Sequence, residues 1–195
     1  MTSRLLLAGL AAAMLTSGTP QQKPIVAFET AAGVIEIEVD SVRAPRTAAN
    51  FLRYVDAGLY DNGRFHRTVR PDTETNRELP IQVIQAGTDP ARAREGFETI
   101  AMESTQATGI LHKDGVVSMA RAASPDSARN QFFICIGDQP SLDFGGKRNP
   151  DGQGFAAFGR VVAGMDVVKK IQASPVRPNT QNLEPAIQIV KVRRK

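Results

Sequence analysis

The chain has 195 residues, a formal net charge of +4 and 42% hydrophobic residues, which suits one domain with a sizeable core. The longest basic run is the terminal Arg193–Lys195, and no stripe of basic residues alternates with aromatic ones, so the composition does not support nucleic-acid binding. The single cysteine, Cys135, excludes an intrachain disulfide, and its apolar neighbours favour a buried inert thiol over a nucleophile.

The first 20 residues differ from the rest of the chain. Arg4 precedes an apolar run, Leu5–Leu15, and small and turn residues follow through Pro20. This order is typical of a secretory signal peptide, and the run is too short to span a bilayer comfortably. We therefore expect residues 1–20 to be a leader and the mature protein to be periplasmic or secreted, with no membrane segment. The alternative is a cytosolic chain with a disordered apolar leader.

Residues 24–195 are predicted to form one domain made mostly of strands. Alternating or continuous apolar runs bounded by turn residues predict strands at 25–30, 34–39, 65–69, 81–85, 99–103, 116–120, 131–136, 155–162 and 186–192. One helix opens at Pro45 and ends at Gly58, and a second runs from Gly164 to about Ile171. A short helix from Thr88 through Arg94 is a further candidate.

The connections between these strands decide the fold class. They are turns and irregular loops instead of regular helices, which argues against a sheet of βαβ units. The pattern favours a mainly β fold, in which about eight antiparallel strands close into a barrel with a helix covering each open end. The polar segment Pro71–Pro80 has no apolar period, and we interpret it as a surface loop in preference to a flap.

The usual catalytic motifs are absent from the sequence. There are two histidines and one cysteine, with no H-E-x-x-H and no C-x-x-C, so neither a metal nor a cofactor is predicted. No G-x-S-x-G, P-loop or Rossmann glycine pattern occurs either. His66 as a general base is less favoured than His66 as a packing residue. What remains is Arg67, a charge placed on a strand, and we predict that it is the chemical centre.

Six short motifs occur in an order that resembles the cyclophilins. They are Phe65-His66-Arg67, Gln85-Ala86-Gly87, Ser118-Met119-Ala120, Gln131-Phe132-Phe133-Ile134, Leu142-Asp143, and Phe158-Gly159-Arg160-Val161 followed by Gly164-Met165. The match runs from about Ile25 to Val192, and the long loop before Phe155 is most similar to a bacterial, exported branch. The resemblance implies a peptidyl-prolyl cis-trans isomerase on an eight-stranded antiparallel barrel with two capping helices. Proline-containing polypeptides would be its partners, and a monomer is expected.

The resemblance also assigns roles to single residues. Arg67 would be the catalytic donor to the proline nitrogen, Phe133 the floor of a proline pocket, and Gln85 a hydrogen-bonding partner of the substrate backbone. The implied substrate-binding residues are Phe65, Gln82, Val83, Gln85, Ala120, Arg121, Phe133, Leu142 and Phe155. Without the resemblance, Arg67 would be interpreted as a rim salt bridge, Gln85 as a surface residue and Phe133 as core.

Several positions depart from the better-known cyclophilins. Gln82 takes the place of a pocket phenylalanine, Val83 of a methionine, Arg121 of an asparagine and Ser141 of a tryptophan, while Phe155 stands where the family has a histidine. Losing the indole donor implies weak cyclosporin binding and does not by itself abolish isomerisation. The departures at Gln82, Arg121 and Ser141 keep open a module that binds proline segments without turnover. A barrel that carries a small apolar ligand in a buried cavity is a third alternative.

Overall fold

The computed structural model describes residues 22–195, so the predicted leader lies outside the described residues. Eight strands close into an antiparallel barrel in the order β1-β2-β7-β5-β6-β4-β3-β8, and β8 pairs back with β1. The strands are β1 Ile25–Thr30, β2 Gly33–Val39, β3 Arg64–Val69, β4 Val83–Gly87, β5 Val116–Met119, β6 Phe132–Cys135, β7 Ala156–Ala163 and β8 Asn182–Arg194. The helices are α1 Pro45–Asp56, α2 Thr105–Thr108 and α3 Met165–Gln172. The predicted fold class, with its two main helices, is confirmed.

One predicted strand is wrong. Segment 99–103 forms only an isolated bridge, between Ile100 and Ala128. The amide of Met102, two residues further along, donates to the carboxylate of Asp126 and not to a neighbouring strand. An apolar run whose amides are taken by a loop side chain cannot extend a sheet, and the sequence does not show that competition.

Two strands begin two or more residues away from their predicted starts. β4 begins at Val83 and not at Ile81, because the amides of Ile81 and Gln82 donate to the side chains of Glu74 and Gln139. β8 begins four residues earlier than predicted, at Asn182, and contains Pro185, a residue that argues against a strand in sequence reading.

The shorter helices follow local capping chemistry. The candidate helix at 88–94 is a single 3-10 turn, Pro90–Arg92, in which the Asp89 side chain accepts from the amide of Ala91. The short helix α2 was not predicted, although Ser104 caps its start and Gly109 ends it in the left-handed conformation.

Aromatic rings fill the barrel interior. The ring of Phe132 lies 5.4–6.2 Å from those of Phe28, Phe51, Tyr60 and Phe65. This packing gives no support to the alternative of a small apolar ligand held inside the barrel. Among residues 22–195, no helix is long and apolar enough to cross a membrane.

A second apolar cluster lies on the outer face of the sheet. Because successive strand residues point to opposite faces, Phe132 enters the barrel core and Phe133 joins this outer cluster. Its other buried members are Val69, Ile81, Val83, Cys135 and Leu142. Burial raises the pKa of the Cys135 thiol, in keeping with the predicted inert side chain. The fold therefore places an apolar surface outside the barrel, where a peptide can reach it.

Candidate active site

An open groove of about 270 Å³ lies over this outer cluster. Its lining residues are Arg67, Ile81, Val83, Gln85, Ala120, Arg121, Phe133, Leu142, Arg148, Asn149 and Phe155. Phe133 forms the floor, and the ring of Phe155 meets it edge-on at 5.4 Å. The groove can therefore hold a flat apolar ring against an aromatic floor, with polar groups along its rim.

Strand register brings the three central side chains together. Arg67 on β3 lies opposite Gln85 on β4, and Gln85 lies opposite Phe133 on β6. Residues directly opposite one another share a face of the sheet, so all three reach the same groove. The prediction that these residues lie together agrees with this geometry.

A β-bulge in β3 decides to which face of the sheet the side chain of Arg67 points. Phe65 pairs with Ala86 and Arg67 with Gln85, so His66 is an extra residue in the ladder. Without this bulge, Phe65 and Arg67 would point to the same face. With it, Phe65 is buried in the barrel core and Arg67 reaches the outer groove, so the predicted role of Phe65 in substrate binding is wrong. Burial lowers the pKa of His66, which does not line the groove.

Two glutamine side chains hold the guanidinium of Arg67. Its Nη1 donates to Gln85 Oε1 at 2.9 Å, and its Nε and Nη2 donate to Gln181 Oε1 at 3.0 and 2.6 Å. Gln85 in turn donates to Gln131 Oε1 at 2.6 Å. Within residues 22–195 no carboxylate forms an ion pair with Arg67, so the rim salt bridge is not observed. The amides orient the charge without neutralising it.

The surroundings of Arg67 favour a strong hydrogen-bond donor. Burial lowers its pKa, the nearby charge of Arg148 lowers it further, and Glu74 partly offsets both. The ordinary pKa of arginine is so high that the side chain stays charged at neutral pH. A half-buried cation interacts more strongly with an approaching lone pair than a fully solvated cation does.

Gln181 was missed by the sequence reading. It precedes β8 in a polar run and lies 114 positions from Arg67, so no local pattern connects the two. Its Nε2 donates to the carbonyl of Thr73, in the polar segment Pro71–Pro80. One amide thus links that segment to the arginine.

Gln82 is a second error among the predicted substrate-binding residues. Its side chain accepts from Gln172 Nε2 at 3.3 Å and does not line the groove. Ile81 lines it instead, because side chains alternate between the two faces and Ile81 shares the face of Val83 and Gln85. The sequence reading also missed Arg148 and Asn149, which come from the long loop before β7.

Arg121 supports the residues that form one wall of the groove. Its Nε donates to the carbonyl of Gly154 and its Nη2 to Asp151 Oδ1, both at 2.8 Å. Its side chain is 1% exposed, and its guanidinium carbon lies 5.3 Å from the centre of the Phe155 ring. Arg121 therefore fastens the long loop and supports Phe155, and its charge is already paired.

A buried chain of hydrogen bonds supports Phe133 from below. His112 Nδ1 donates to Asp143 Oδ1 at 2.7 Å, while its Nε2 lies 3.0 Å from Ser118 Oγ. The His112 ring is nearly parallel to that of Phe133, at 5.9 Å. A serine, a histidine and an aspartate in contact could indicate nucleophilic catalysis, but Ser118 is fully buried in β5. The chain orients the floor of the groove.

Glu74 anchors the polar segment Pro71–Pro80. It is 3% exposed, accepts from the amides of Asn76 and Ile81 at 2.7 and 3.0 Å, and pairs with Arg148 at 3.0 Å. Burial alone would raise the pKa of Glu74, but these hydrogen bonds and the charge of Arg148 outweigh it, and the pKa is lowered. No residue of 71–80 lines the groove.

The sequence matches the family described as cyclophilin type peptidyl-prolyl cis-trans isomerase/CLD over residues 25–194. This chain belongs to the cyclophilin family. Peptidyl-prolyl cis-trans isomerase A of Dickeya dadantii is 31% identical over 189 residues, which are 95% of this chain and 90% of the relative. Peptidyl-prolyl cis-trans isomerase B of Escherichia coli is 35% identical over 149 residues, 76% of this chain and 84% of the relative. The predicted enzyme class, peptidyl-prolyl cis-trans isomerase, is confirmed.

The fold of solved cyclophilins agrees with the barrel described above. A cyclophilin type peptidyl-prolyl cis-trans isomerase of Cryptosporidium parvum superposes with a TM-score of 0.70 at 22% identity, covering 89% of this chain and 98% of that chain. The same protein was also crystallised in the presence of the dipeptide Ala-Pro, and that structure gives a TM-score of 0.68. The family relationship to bacterial isomerases is confirmed, and the exported branch stays a prediction.

We expect Glu74→Gln to lower the free energy of unfolding by about 1–3 kcal/mol at pH 7, because it removes a buried ionised acceptor. The carboxylate pKa is lower in the folded than in the unfolded state, so its stabilisation is complete above about pH 5 and disappears as pH falls through the folded pKa. Urea unfolding of both proteins between pH 3 and 7 measures the difference. Glu95→Gln, on an exposed pair with Arg92, is the control, and its free energy of unfolding should stay near that of wild type. Equal losses for both variants, or a Glu74 loss that persists unchanged at pH 3, would contradict this role.

Proposed function

We propose that this chain accelerates rotation about X-Pro bonds in exported proteins, with Arg67 donating a hydrogen bond to the imide nitrogen. The observation that carries the proposal is the guanidinium of Arg67, held by two amides at the edge of an apolar groove. Such a site offers a fixed donor and a place for a proline ring, and it needs no bond to be made or broken.

The chemistry of the bond explains why this arrangement suffices. An X-Pro bond isomerises in tens to hundreds of seconds against a barrier of about 18–20 kcal/mol, because rotation destroys amide resonance. In the twisted state the proline nitrogen becomes pyramidal and gains a lone pair. A donor placed at that nitrogen interacts chiefly with the transition state, and only such an interaction lowers the barrier.

The other groove residues fix one side of the rotating bond. Phe133, Val83, Leu142 and Phe155 hold the proline ring, and the buried support under Phe133 keeps the floor rigid. In the proposed complex, Gln85 binds the substrate backbone and the main chain at Ala120–Arg121 pairs with the residue before proline. Holding one side while the other turns lowers the entropic cost of reaching the twisted geometry.

We expect Arg67→Ala to lower kcat/KM about 100- to 1,000-fold, as for loss of a donor to a transition state. The kcat/KM of Arg67→Lys should fall between those of wild type and Arg67→Ala. An ammonium can still donate a hydrogen bond, but it lacks the planar guanidinium that contacts both glutamines at once. A protease-coupled assay on a proline tetrapeptide measures the rates. Arg64→Ala, exposed on the same strand, is the matched control and should stay near wild type.

The outcome of this assay separates the proposal from its alternative. Equal rates for wild type and Arg67→Ala would remove the proposed role of Arg67. Tight peptide binding by the wild type without any acceleration would instead favour a module that binds proline segments without turnover. The departures from the family pattern at Gln82, Arg121 and Ser141 are the observations behind that alternative.

Export forms the second part of the proposal. It is supported by the charge, apolar run and small-residue exit in residues 1–20. A fusion of residues 1–24 to a reporter that is active only after export should give activity outside the bacterial cytoplasm, and Leu7→Arg with Leu10→Arg should abolish it. If the fusion with the native residues 1–24 gives no reporter activity, the export proposal fails and a cytosolic isomerase is favoured.

Weak cyclosporin binding is expected from the groove. Ser141 stands at the position of the family's indole donor, and its buried hydroxyl has no partner within the described residues. A cyclosporin titration of the isomerase reaction should require a concentration about 5- to 150-fold higher than for a member with the tryptophan, the value of two lost kinds of contact, one polar and one aromatic. Equal sensitivity would show that the indole is not needed in this groove.

A further inference from the structure

A second cavity lies on the other side of Arg67 from the proline groove. It measures about 790 Å³, against about 270 Å³ for the groove, and among the described residues Arg67 alone lines both. Its remaining lining residues are Asp72, Thr73, Glu74, Thr75, Arg77, Val176, Asn179, Thr180, Gln181 and Asn182. The polar segment Pro71–Pro80 supplies one wall and the approach to β8 supplies the other.

The acidic and the basic side chains that line this cavity differ in whether they form ion pairs. Its two carboxylates are already paired: Asp72 with Arg70 at 2.8 Å, and Glu74 with Arg148 at 3.0 Å. Arg70 and Arg148 do not line the cavity themselves.

The two lining cations have no such partners. Arg67 is held by uncharged amides, and Arg77 is exposed with no ion-pair partner within residues 22–195. Apart from Val176, the other lining side chains are polar and uncharged or already paired. The cavity therefore presents net positive charge together with hydrogen-bonding groups, which suits a carboxylate.

The position of the cavity indicates which part of a substrate enters it, given the function proposed above. In the proposed complex, the main chain at Ala120–Arg121 takes the residue before proline. Ala120 follows β5 and Arg67 lies on β3, with β6 and β4 between them, so the groove runs from Ala120 towards Arg67. A peptide that continues in this direction passes Arg67, which lines both the groove and the cavity, and its first residues after proline are the ones placed to enter the cavity.

We propose that this cavity is a substrate subsite that selects an acidic side chain one or two residues after proline, with Arg77 as its principal partner. Arg77 and one wall of the subsite belong to the polar segment Pro71–Pro80, which connects β3 to β4. Gln181 completes the subsite by joining that segment to Arg67 through the carbonyl of Thr73.

Exchange NMR on a peptide series tests the subsite. The peptides are Ala-Ala-Pro-Xaa-Xaa-Ala with both Xaa positions Glu, Gln or Lys, and a reference with two Glu before proline. At low salt, kcat/KM for the Glu peptide should exceed that for the Lys peptide about three- to tenfold, the range of one partly exposed charge pair and its like-charge counterpart. About 0.5 M salt should reduce the ratio.

Charge reversal identifies the residue. Arg77→Glu should invert the Glu-to-Lys ratio, whereas Arg94→Glu, the same change at an exposed site that lines neither cavity, should leave the ratio as in wild type. A wild-type ratio near one, a ratio that Arg77→Glu does not change, or an equal preference for Glu placed before proline would each overturn the subsite.

A failure of the proposed function is distinguishable from a failure of the subsite. If no peptide exchanges faster with the protein than without it, the isomerase proposal fails. The dissociation constants of the same peptides, measured in the same NMR titrations, then decide the subsite by the same Glu-to-Lys ratio and its inversion in Arg77→Glu.

Discussion

The site depends on how the guanidinium of Arg67 is held at the edge of the groove. Three of the five N–H donors of Arg67 are used by the oxygens of Gln85 and Gln181, which leaves two for a substrate. A carboxylate in the place of either amide would hold the guanidinium as firmly, but it would also neutralise its charge. Orientation by neutral acceptors keeps the donor fixed and its charge available, which is what the proposed stabilisation of a twisted imide requires.

The barrel supplies that geometry through register. Cross-strand pairing places Arg67, Gln85 and Phe133 in one row over three neighbouring strands, and the bulge at His66 turns the arginine out of the barrel. The floor is fixed in its turn by the buried contact of His112 with Phe133. The site therefore uses side chains from distant parts of the chain, and the closed sheet holds them in place.

Much of this could be predicted from the sequence, because the signals are local. Period-two alternation and turn residues predicted most of the strands, and motif order predicted the cyclophilin barrel with Arg67, Gln85 and Phe133 in one site. The errors arise where distant side chains intervene. The bulge that buries Phe65 has no local signature, and the strand start near Gln82 is shifted by hydrogen bonds from Glu74 and Gln139. Gln181 reaches Arg67 across 114 positions, beyond any pattern in a window.

The altered rim shows how a groove can keep its shape with different residues. Arg121 does not enter the groove as a free charge, since it fastens Gly154 and Asp151 and lies against Phe155. Phe155 then restores the apolar wall, and Ile81 replaces the aromatic ring expected at Gln82. The departures from the family pattern change the surroundings of the proline site more than its centre.

A crystal structure of the chain with a bound proline tetrapeptide tests the central claim most directly. We expect the proline ring on Phe133 and a guanidinium nitrogen of Arg67 within about 3.5 Å of the imide nitrogen or its carbonyl, with Gln85 and Gln181 still in contact with Arg67. A peptide bound elsewhere, or an Arg67 turned away from the imide bond to pair with a carboxylate, would contradict it.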